Sequence, residues 1–455
     1  VSMWSKSITD ISWFVVDTST FTFKSCLFSV SFLLYFCSYL FLLFSICLPS
    51  SSQVVHITLD NAVNLALENN LDLKSKRKKA EELQQEIKIA NALKNPRFES
   101  NFLIGRVTRG NSSQFGLSVP VEVAKRGIRK KIAQTNLDIV EKEIKASEHD
   151  IKIEIMKNYF NILYLKSVVL IFQEREKLFK NLKTIAEQKS KKYVNYDVDI
   201  LQADMKYKRQ LVYLNKAKAD LLIAQFKLND TINIKNSENM YDTIEESLFI
   251  NDLSLLNLTL LPYQTIEDTA MKYSYSLAIA ESNITKSEQE VTQAKRQRIP
   301  NLTIGGGTAY QTAHQTGGDS LPGAYIAIGA DIPILYSYSP DIKKAKIVLE
   351  RSNIDKDSFE NHLRYALKQD YNEFKYAKAN MEHYKNILSE SQKLMNTYSK
   401  RYEKGQTSLQ NFIQVETMHQ ETLKDYIGAA QAYYDSYLNL MHNVGHDILM
   451  TNQNL

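Results

Sequence analysis

The chain has 455 residues, 44% hydrophobic and 24% charged, with only 14 Gly and 8 Pro. This excludes a wholly disordered chain and a disulfide-dense mini-protein, and so few turn formers point to long uninterrupted elements rather than a turn-rich sandwich or a doubly wound fold. The 56 basic and 51 acidic side chains leave a net charge of +5, a mixed surface that predicts no nucleic-acid partner.

The first element is residues 26–48, CLFSVSFLLYFCSYLFLLFSICL, an uncharged apolar run behind Lys24 and ahead of the small residues Pro49 to Ser52. It reads as a secretory signal cleaved near Ser52, so that residues 1–52 form an N-terminal extension and signal peptide; an uncleaved membrane anchor is the other reading. All three Cys (Cys26, Cys37 and Cys47) lie here, which leaves the rest of the chain without a disulfide, a thiol nucleophile or a Cys-based metal site. No later stretch reads as apolar enough for a membrane helix, so a spanning chain has to use a barrel.

The chain then repeats itself. Pro96 opens PRFESNFLIG and Pro300 opens PNLTIGGGTAY, 204 positions later, each ending a helical pattern and starting an alternating one. At the same offset Leu73, Ala80, Leu83, Ile87 and Ala90 fall on Leu277, Ile284, Ser287, Val291 and Ala294, and the second set, with Ala280, steps as a heptad seam. KKYVNYDVDILQ (191–202) answers KRYEKGQTSLQN (400–411). The expected architecture is mainly α with membrane β: a duplicated helix–strand–strand–long helix–helix unit over 53–230 and 263–455, joined by a polar, irregular linker at 231–262. The long helices, 124–192 and 340–402, would each run roughly 100 Å at 1.5 Å per residue.

Four strands are predicted, at about 97–107, 114–123, 301–310 and 324–335. Phe98, Phe102 and Ile104 oppose Glu99 and Asn101. Phe115, Leu117, Val119, Val121 and Val123 share one face. So do Leu302, Ile304 and Tyr310, and likewise Ala324, Ile326, Ile328, Ala330, Ile332 and Ile334. Apolar-out, polar-in segments near ten residues long fit a bilayer-spanning barrel, with Phe115, Leu117, Val119, Val121, Ile326, Ile328 and Ile332 on the lipid side. Four strands cannot close such a barrel, because an open edge in lipid strands backbone groups at several kcal/mol each. Copies of the chain must pool them: three copies make twelve strands, two make eight. Two ordinary hairpins packed on a soluble core are the alternative.

At this point the pattern resembles the TolC-like outer-membrane efflux family, over essentially all the chain after residue 53. The resemblance rests on TLDNAVNLALENNLDLKSKRKKAEE (58–82), ANALKNPRFES (90–100), SVPVEVAKRGIRKKIAQ (118–134), RYEKGQTSLQNFIQVE (401–416) and AYYDSYLNLMHNVG (432–445). It implies a homotrimer with a twelve-stranded barrel in the outer membrane, continuous with a long α-helical barrel in the periplasm. It implies a passive exit duct docking with a periplasmic adaptor (membrane fusion) protein and an inner-membrane RND- or ABC-type pump. It also implies outer-membrane lipid as a partner, no cofactor and no enzymatic activity. Where family members place aspartates after the second turn, this chain carries Asn411 and Gln414. The stretch LYSYSPDIKKA (335–345) departs from the basic-glycine form that KRGIRKKIA keeps in the first half.

Individual residues can be placed on this frame. Tyr193, Asp197, Asp199, Gln202, Tyr402, Gly405, Gln406, Thr407, Asn411 and Gln414 flank the two turns and are expected at the periplasmic tip, for adaptor docking and gating. Lys125, Arg126, Arg129, Lys130 and Lys131 follow a strand, as a membrane-proximal collar on anionic headgroups or a solvated helix start. Gly305–Gly306–Gly307 lacks the Lys-Ser/Thr of a phosphate loop and lies in a strand. His442, His446 and Asp447 are a possible metal group that Gly445 would interrupt, and no metal site is expected. Tyr433, Tyr434 and Tyr437 are expected in the coiled core. A periplasmic coiled-coil adaptor or scaffold anchored by residues 26–48 is the competing function.

Overall fold

In the computed structural model, residues 53–103, 112–190, 197–233, 239–247, 260–311 and 321–445 are described. The apolar run 26–48 and its cleavage region, Ile104, Tyr193, part of the linker, His446 and Asp447 lie outside them. The elements of the compact unit Val54–Leu455 run β1 (Gln53–Ile57), α1 (Leu59–Asn69), α2 (Leu71–Asn91), β2 (Arg97–Leu103), β3 (Ser112–Val121), α3 (Arg126–Ser190), α4 (Asp197–Ile232), β4 (Asn239–Thr243), α5 (Tyr263–Tyr273), α6 (Tyr275–Arg296), β5 (Leu302–Gln311), β6 (Leu321–Ala330), α7 (Ser339–Glu403) and α8 (Leu409–Val444).

One order of elements occurs twice, with long helices of 65 residues (α3 and α7) and partners of 36 (α4 and α8). The local signals are explicit. The Asn70 side chain caps α2 by accepting from Leu73 N at 2.9 Å, and Ser274, 204 positions on, caps α6 by accepting from Leu277 N at 3.5 Å. Ser408 caps α8 by accepting from Asn411 N at 3.3 Å. Gly445, at φ 74°, ends α8 in the left-handed region, where a Cβ is penalised. Pro340 sits in the first turn of α7, where its missing N–H costs nothing.

α3 is the spine. Its first third packs between α2 and α6: Lys142 bridges Asp138 and the Ser282 hydroxyl (2.8 and 2.6 Å), and Thr135 meets Gln289 at 2.9 Å. Further on it packs between α4 and α8: Lys157 donates to Asn439 at 2.7 Å and Gln431 to Asn161 at 3.1 Å. The main core lies where these sets meet. Phe160 stacks on Tyr434 at 4.5 Å and Phe374 on Tyr433 at 5.1 Å, and Tyr433, Tyr434 and Tyr437 are at most 1% exposed. At this level β1 pairs with β4. The Tyr159 hydroxyl donates to Ile57 O at 3.1 Å and contacts Glu245, and Lys166 pairs with Asp242 at 2.9 Å.

Three expectations are corrected. The linker read as irregular contains strand β4, too short to stand out in the pattern. A stretch within Arg126–Gln188 does pass the length-and-composition test for a membrane helix, but 61% of it is buried inside the fold, so its apolarity is spent on the spine's own packing. The fourth strand ends at Ala330 rather than 335: past the Leu302–Ala330 pair only Asp331 N reaches Asn301 O, at 3.4 Å, and Pro300 then has no N–H to carry the ladder on.

Sheet order is β2-β3-β5-β6, antiparallel throughout. The triple glycine lies in β5 where it crosses β3. A Cβ on Gly307 would collide with the Phe115 carbonyl oxygen and sit 2.5 Å from Gly116 Cα, both backbone atoms. Gly307→Ala should therefore force the strands apart, at about 1–3 kcal/mol or more. Gly323→Ala, whose Cβ would meet nothing nearer than 3.9 Å, should be neutral. The yield of folded protein and its thermal midpoint check both: unchanged for Gly323→Ala and sharply reduced for Gly307→Ala.

Candidate functional site

Three regions hold the residues that the sequence singles out. The first is the sheet. Its register puts Phe98, Leu117, Gly306 and Ile326 in one row across four strands, and Val119, Ile304 and Ile328 in the next. Directly opposed residues share a face, so the apolar positions of all four strands form one continuous surface. Phe102 meets Phe115 edge-on at 5.4 Å on that surface. Ile326 and Ile328 are 84% and 77% exposed, and Phe115, Leu117 and Val121 are also exposed, with Val119 partly so. Ile332, assigned to this face from the sequence, is exposed but follows the end of β6. The opposite face carries Glu99, which accepts from the Ser118 hydroxyl at 2.6 Å, and Tyr325, whose ring reaches over Gly116. Both outer edges, β2 and β6, are unpaired among the described residues.

The second region joins sheet to helices. Arg126 donates to Asn91 O at 2.7 Å and Arg129 to Ala90 O at 2.9 Å, satisfying carbonyls at the C-terminus of α2. Arg129 and Lys94 also pair with Glu122, at 2.9 and 3.2 Å. From the other half, Arg296 donates to Ala124 O at 3.0 Å and Arg298 to Ser337 O at 2.8 Å. Of the five basic residues in the expected collar, Arg126 and Arg129 thus have internal work; Lys125 lies in the turn, Lys130 is half-buried and Lys131 is exposed.

The third region is the far end of the long helices. Tyr402 is buried and stacks on Phe412 at 5.3 Å in a cluster with Phe179, Leu182, Ala203, Leu409 and Ile413. Gly405 turns the chain at φ 72°, Gln406 N donates to Arg401 O at 2.8 Å, and Thr407 leads into the cap. Asp197 begins α4, and Asp199 is half-buried in its first turn. Asn411 is exposed. Gln202 and Gln414, 212 positions apart in sequence, line one cavity of about 790 Å³ between α4 and α8. The Asp204 carboxylate is taken up by Lys183 at 2.7 Å and Lys208 at 2.8 Å, and the Lys183 hydrogen bond is the leading cause that holds it below the ordinary range.

Sequence reasoning missed the pair that ties this end together. Arg175 on α3 grips Glu416 on α8 through two bonds, Nε to Oε1 at 2.8 Å and an Nη to Oε2 at 3.1 Å, with Glu416 fully buried. One seam position on, His419 contacts the Ser391 hydroxyl at 3.0 Å, and burial pushes its imidazole down. The signal was present. Glu416 follows Leu409 and Phe412 at the 3-4 spacing of an apolar seam, and Arg175 sits between Ile171 and Phe179 on the corresponding seam of α3. Toward the sheet, His442 pairs with Asp150 at 3.1 Å, and among the described residues no group of three His, Cys, Asp or Glu is placed to hold a metal.

Residues 268–446 match the family described as outer membrane efflux protein. No curated protein sequence matches the chain. In fold it is similar to the CmeC outer membrane channel of Campylobacter jejuni (TM-score 0.64, 17% identity, 87% of this chain and 88% of that one). It is also similar to the outer membrane protein VceC of Vibrio cholerae (TM-score 0.66, 11% identity, 85% and 96%). A third similar structure is CusC, described in terms of folding and transmembrane channel formation (TM-score 0.69, 14% identity, 86% and 92%).

The Arg175–Glu416 pair makes a signed prediction. Burial raises the Glu416 carboxyl above the ordinary carboxylate range, against the pull of Arg175. Removing one partner of a buried pair costs about 3–5 kcal/mol, so Arg175→Met should destabilise the helical part by that order. A carboxyl raised in the folded state contributes stability below its unfolded pKa and loses it as pH climbs through the folded one. The defect should therefore be smallest in acid and grow toward neutrality. Thermal loss of the helical circular-dichroism signal between about pH 5 and 8 reads this out. Adding Glu416→Gln to Arg175→Met should flatten the dependence; an unchanged slope would assign it to another group.

Proposed function

We propose that this chain, whose residues 268–446 match the outer membrane efflux protein family, is the exit duct of a tripartite efflux or type I secretion system. It sits in the outer membrane with a large periplasmic portion and catalyses no reaction. Substrate handed over by a periplasmic adaptor and an inner-membrane RND- or ABC-type pump passes through it passively. The sheet face carries this reading. One apolar surface crosses all four strands, with Ile326 and Ile328 at 84% and 77% exposure, on a sheet whose two edges are unpaired among the described residues. In water that surface forgoes about 1.5–3 kcal/mol for each large aliphatic side chain left exposed. In hydrocarbon it is satisfied, provided β6 of one copy pairs with β2 of the next. Three copies close a twelve-stranded barrel, within the size range of membrane barrels.

The helices support the same assembly. α4 exposes a heptad seam, with Val198, Leu201, Met205 and Val212 each 61–65% exposed and Phe226 at 58%. α7 exposes Ile354, Tyr365, Tyr376 and Ile387 at 11-residue intervals. These are the flanking helices of the α4–α3–α8–α7 layer, and neighbouring copies are the surface that buries them. The two repeats, 53–230 and 263–455, with the equatorial linker 231–262 between them, then supply six repeats to the ring. The turn at 404–408, with the neighbouring ends of α3 and α4, forms the periplasmic tip, where an adaptor engages Gly405, Gln406 and Thr407. Straightening of the inward-coiled ends near Asp199 and Asn411 opens the mouth, a two-state change biased by adaptor contacts. A scaffold or adaptor anchored by residues 26–48 accounts for the helices but leaves the apolar sheet face without a role.

Val119→Lys combined with Ile328→Lys places two charges on that face, at about 2–4 kcal/mol each near the bilayer midplane. Membrane assembly and heat-modifiable migration should be lost while helix content by circular dichroism survives; retained assembly would remove the barrel. Cysteines at Asp199 and Asn411 should cross-link under oxidation and abolish conductance in planar bilayers, with recovery on reduction. Conductance that ignores the cross-link would place the gate elsewhere.

A further inference from the structure

The connection from β6 to α7, Asp331 to Tyr338, departs from its counterpart in the first half. Aligning SVPVEV (118–123) with ADIPIL (330–335) puts Glu122 against Ile334 and Val123 against Leu335. Glu122 is drawn inward by Lys94 and Arg129, at 3.2 and 2.9 Å. An isoleucine can make no such tie. Ile334 is 81% exposed and Leu335 fully so, and Ile332 and Tyr336 are exposed beside them.

The segment is nevertheless held in shape. Ile334 N donates to Ile332 O at 2.9 Å, a three-residue turn centred on Pro333, whose ring fixes the φ that such a turn needs. Arg298 donates to Ser337 O and to Ser339 Oγ, at 2.8 and 2.9 Å. The Tyr336 hydroxyl donates to Asp341 at 2.7 Å, and its ring meets Tyr338 edge-on at 5.0 Å.

Three observations describe what covers it. First, the backbone offers a second copy no ladder: Asp331 N is taken by Asn301 O, Pro333 has no N–H, and Ile334 N is used inside the turn. Hydrocarbon asks for no ladder, only for apolar side chains over satisfied backbone groups. Second, Ile332 and Ile334 keep the two-residue step of Ile326 and Ile328, so the apolar pattern of the sheet face runs on into the connection. Third, Lys343, Lys344 and Lys346 are exposed on the first two turns of α7 and outnumber Asp331 and Asp341. They lie about 6–11 Å along the helix from Ser339, and lysine stems can reach from there to a headgroup layer.

We infer that residues 332–336 are a lipid-interface anchor. Ile334 and Leu335 enter the acyl boundary of the periplasmic leaflet, Tyr336 and Tyr338 lie at headgroup level, and Lys343, Lys344 and Lys346 meet anionic phospholipid headgroups. The inference rests on the duct reading, which puts the sheet in the bilayer. It also makes the contact one-sided within each copy. The second half grips the leaflet, whereas Arg126 and Arg129 of the first half are engaged by carbonyls inside the fold.

The sequence suits a fluorescence test, because its two Trp are Trp4 and Trp13 and none follows. With both changed to Phe, Leu335→Trp gives the full-length protein a single reporter in nanodiscs. Phosphatidylcholine brominated near the headgroup end of its acyl chains should quench most of that emission, and aqueous iodide should quench little. If Leu335→Trp does not assemble, Tyr336→Trp takes its place with the same expectation. Emission that only iodide quenches puts the segment in water, and emission that neither quenches puts it under a second copy; each overturns the inference. Ile328→Trp, on the sheet face, separates the two claims. Bromine that quenches it but not Leu335→Trp removes the anchor alone, and bromine that quenches neither removes the barrel as well. The lysines are read by thermal midpoint. Adding phosphatidylglycerol to the nanodiscs should raise it, less so as salt rises. Lys343→Gln with Lys344→Gln and Lys346→Gln should erase the gain, and Lys130→Gln with Lys131→Gln should leave it. No gain, or a gain lost only in the second variant, overturns the headgroup contact.

Discussion

A helix of 65 residues satisfies its own backbone hydrogen bonds but has no interior in which to hide an apolar seam. α3 carries the consequence. Over roughly 100 Å at 1.5 Å per residue, every buried position on it has to be covered by some other part of the chain. Four helices do so, α2 and α6 along the first third and α4 and α8 beyond. The short strands β1 and β4 and the helix α1 fill the region where the two sets meet. The most apolar part of α3 carries enough hydrophobicity for a membrane span, yet it is the best covered. Composition alone does not separate a lipid-facing helix from one whose apolar surface is matched by neighbours; the burial decides.

The same seam explains the charges within it. Arg175 and Glu416 occupy positions that an ordinary coiled coil gives to Leu or Ile, and their bidentate pairing is made in the desolvated space between α3 and α8. Such a pair adds little net stability, because desolvation offsets the attraction. What it supplies is register. A one-turn slip of α8 along α3 keeps apolar facing apolar but leaves each charge buried without its partner, at a cost of several kcal/mol. The arginines at the sheet junction act on the same scale. Arg126, Arg129, Arg296 and Arg298 each donate to backbone carbonyls where helix passes into strand or turn, the places where unsatisfied acceptors accumulate.

The sheet leaves the same covering problem unsolved within one chain. Its register aligns the apolar positions of four strands, two from each half of the chain, into one surface, and the glycines of β5 let it cross β3 with backbone nearly touching backbone. The helices can cover one another within a single chain. The sheet face cannot be covered that way, because among the described residues no helix lies over it and its edge strands have no partner. Hydrocarbon on the face and further copies on the edges would meet both requirements, and this is what the proposed duct reading supplies.

The order of residues along the chain is enough to specify the two helices near 124–192 and 340–402, whose ends fall within two residues of α3 and α7. It is also enough for the period-2 faces of the strands and the burial of Tyr433, Tyr434 and Tyr437. Those properties depend on neighbours in sequence: the absence of Pro and Gly, the spacing of apolar residues, and caps such as Asn70 and Ser274. Folding in three dimensions settles where a strand stops when its partner runs out, as β6 does at Ala330, and that β4 forms at all, since it exists only by pairing with β1. It also settles that Gln202 meets Gln414 across a groove, that Arg126 and Arg129 turn inward to carbonyls, and that Arg175 finds Glu416. Each of these joins residues tens to hundreds of positions apart, where side-chain reach and desolvation set the outcome and periodicity carries no information.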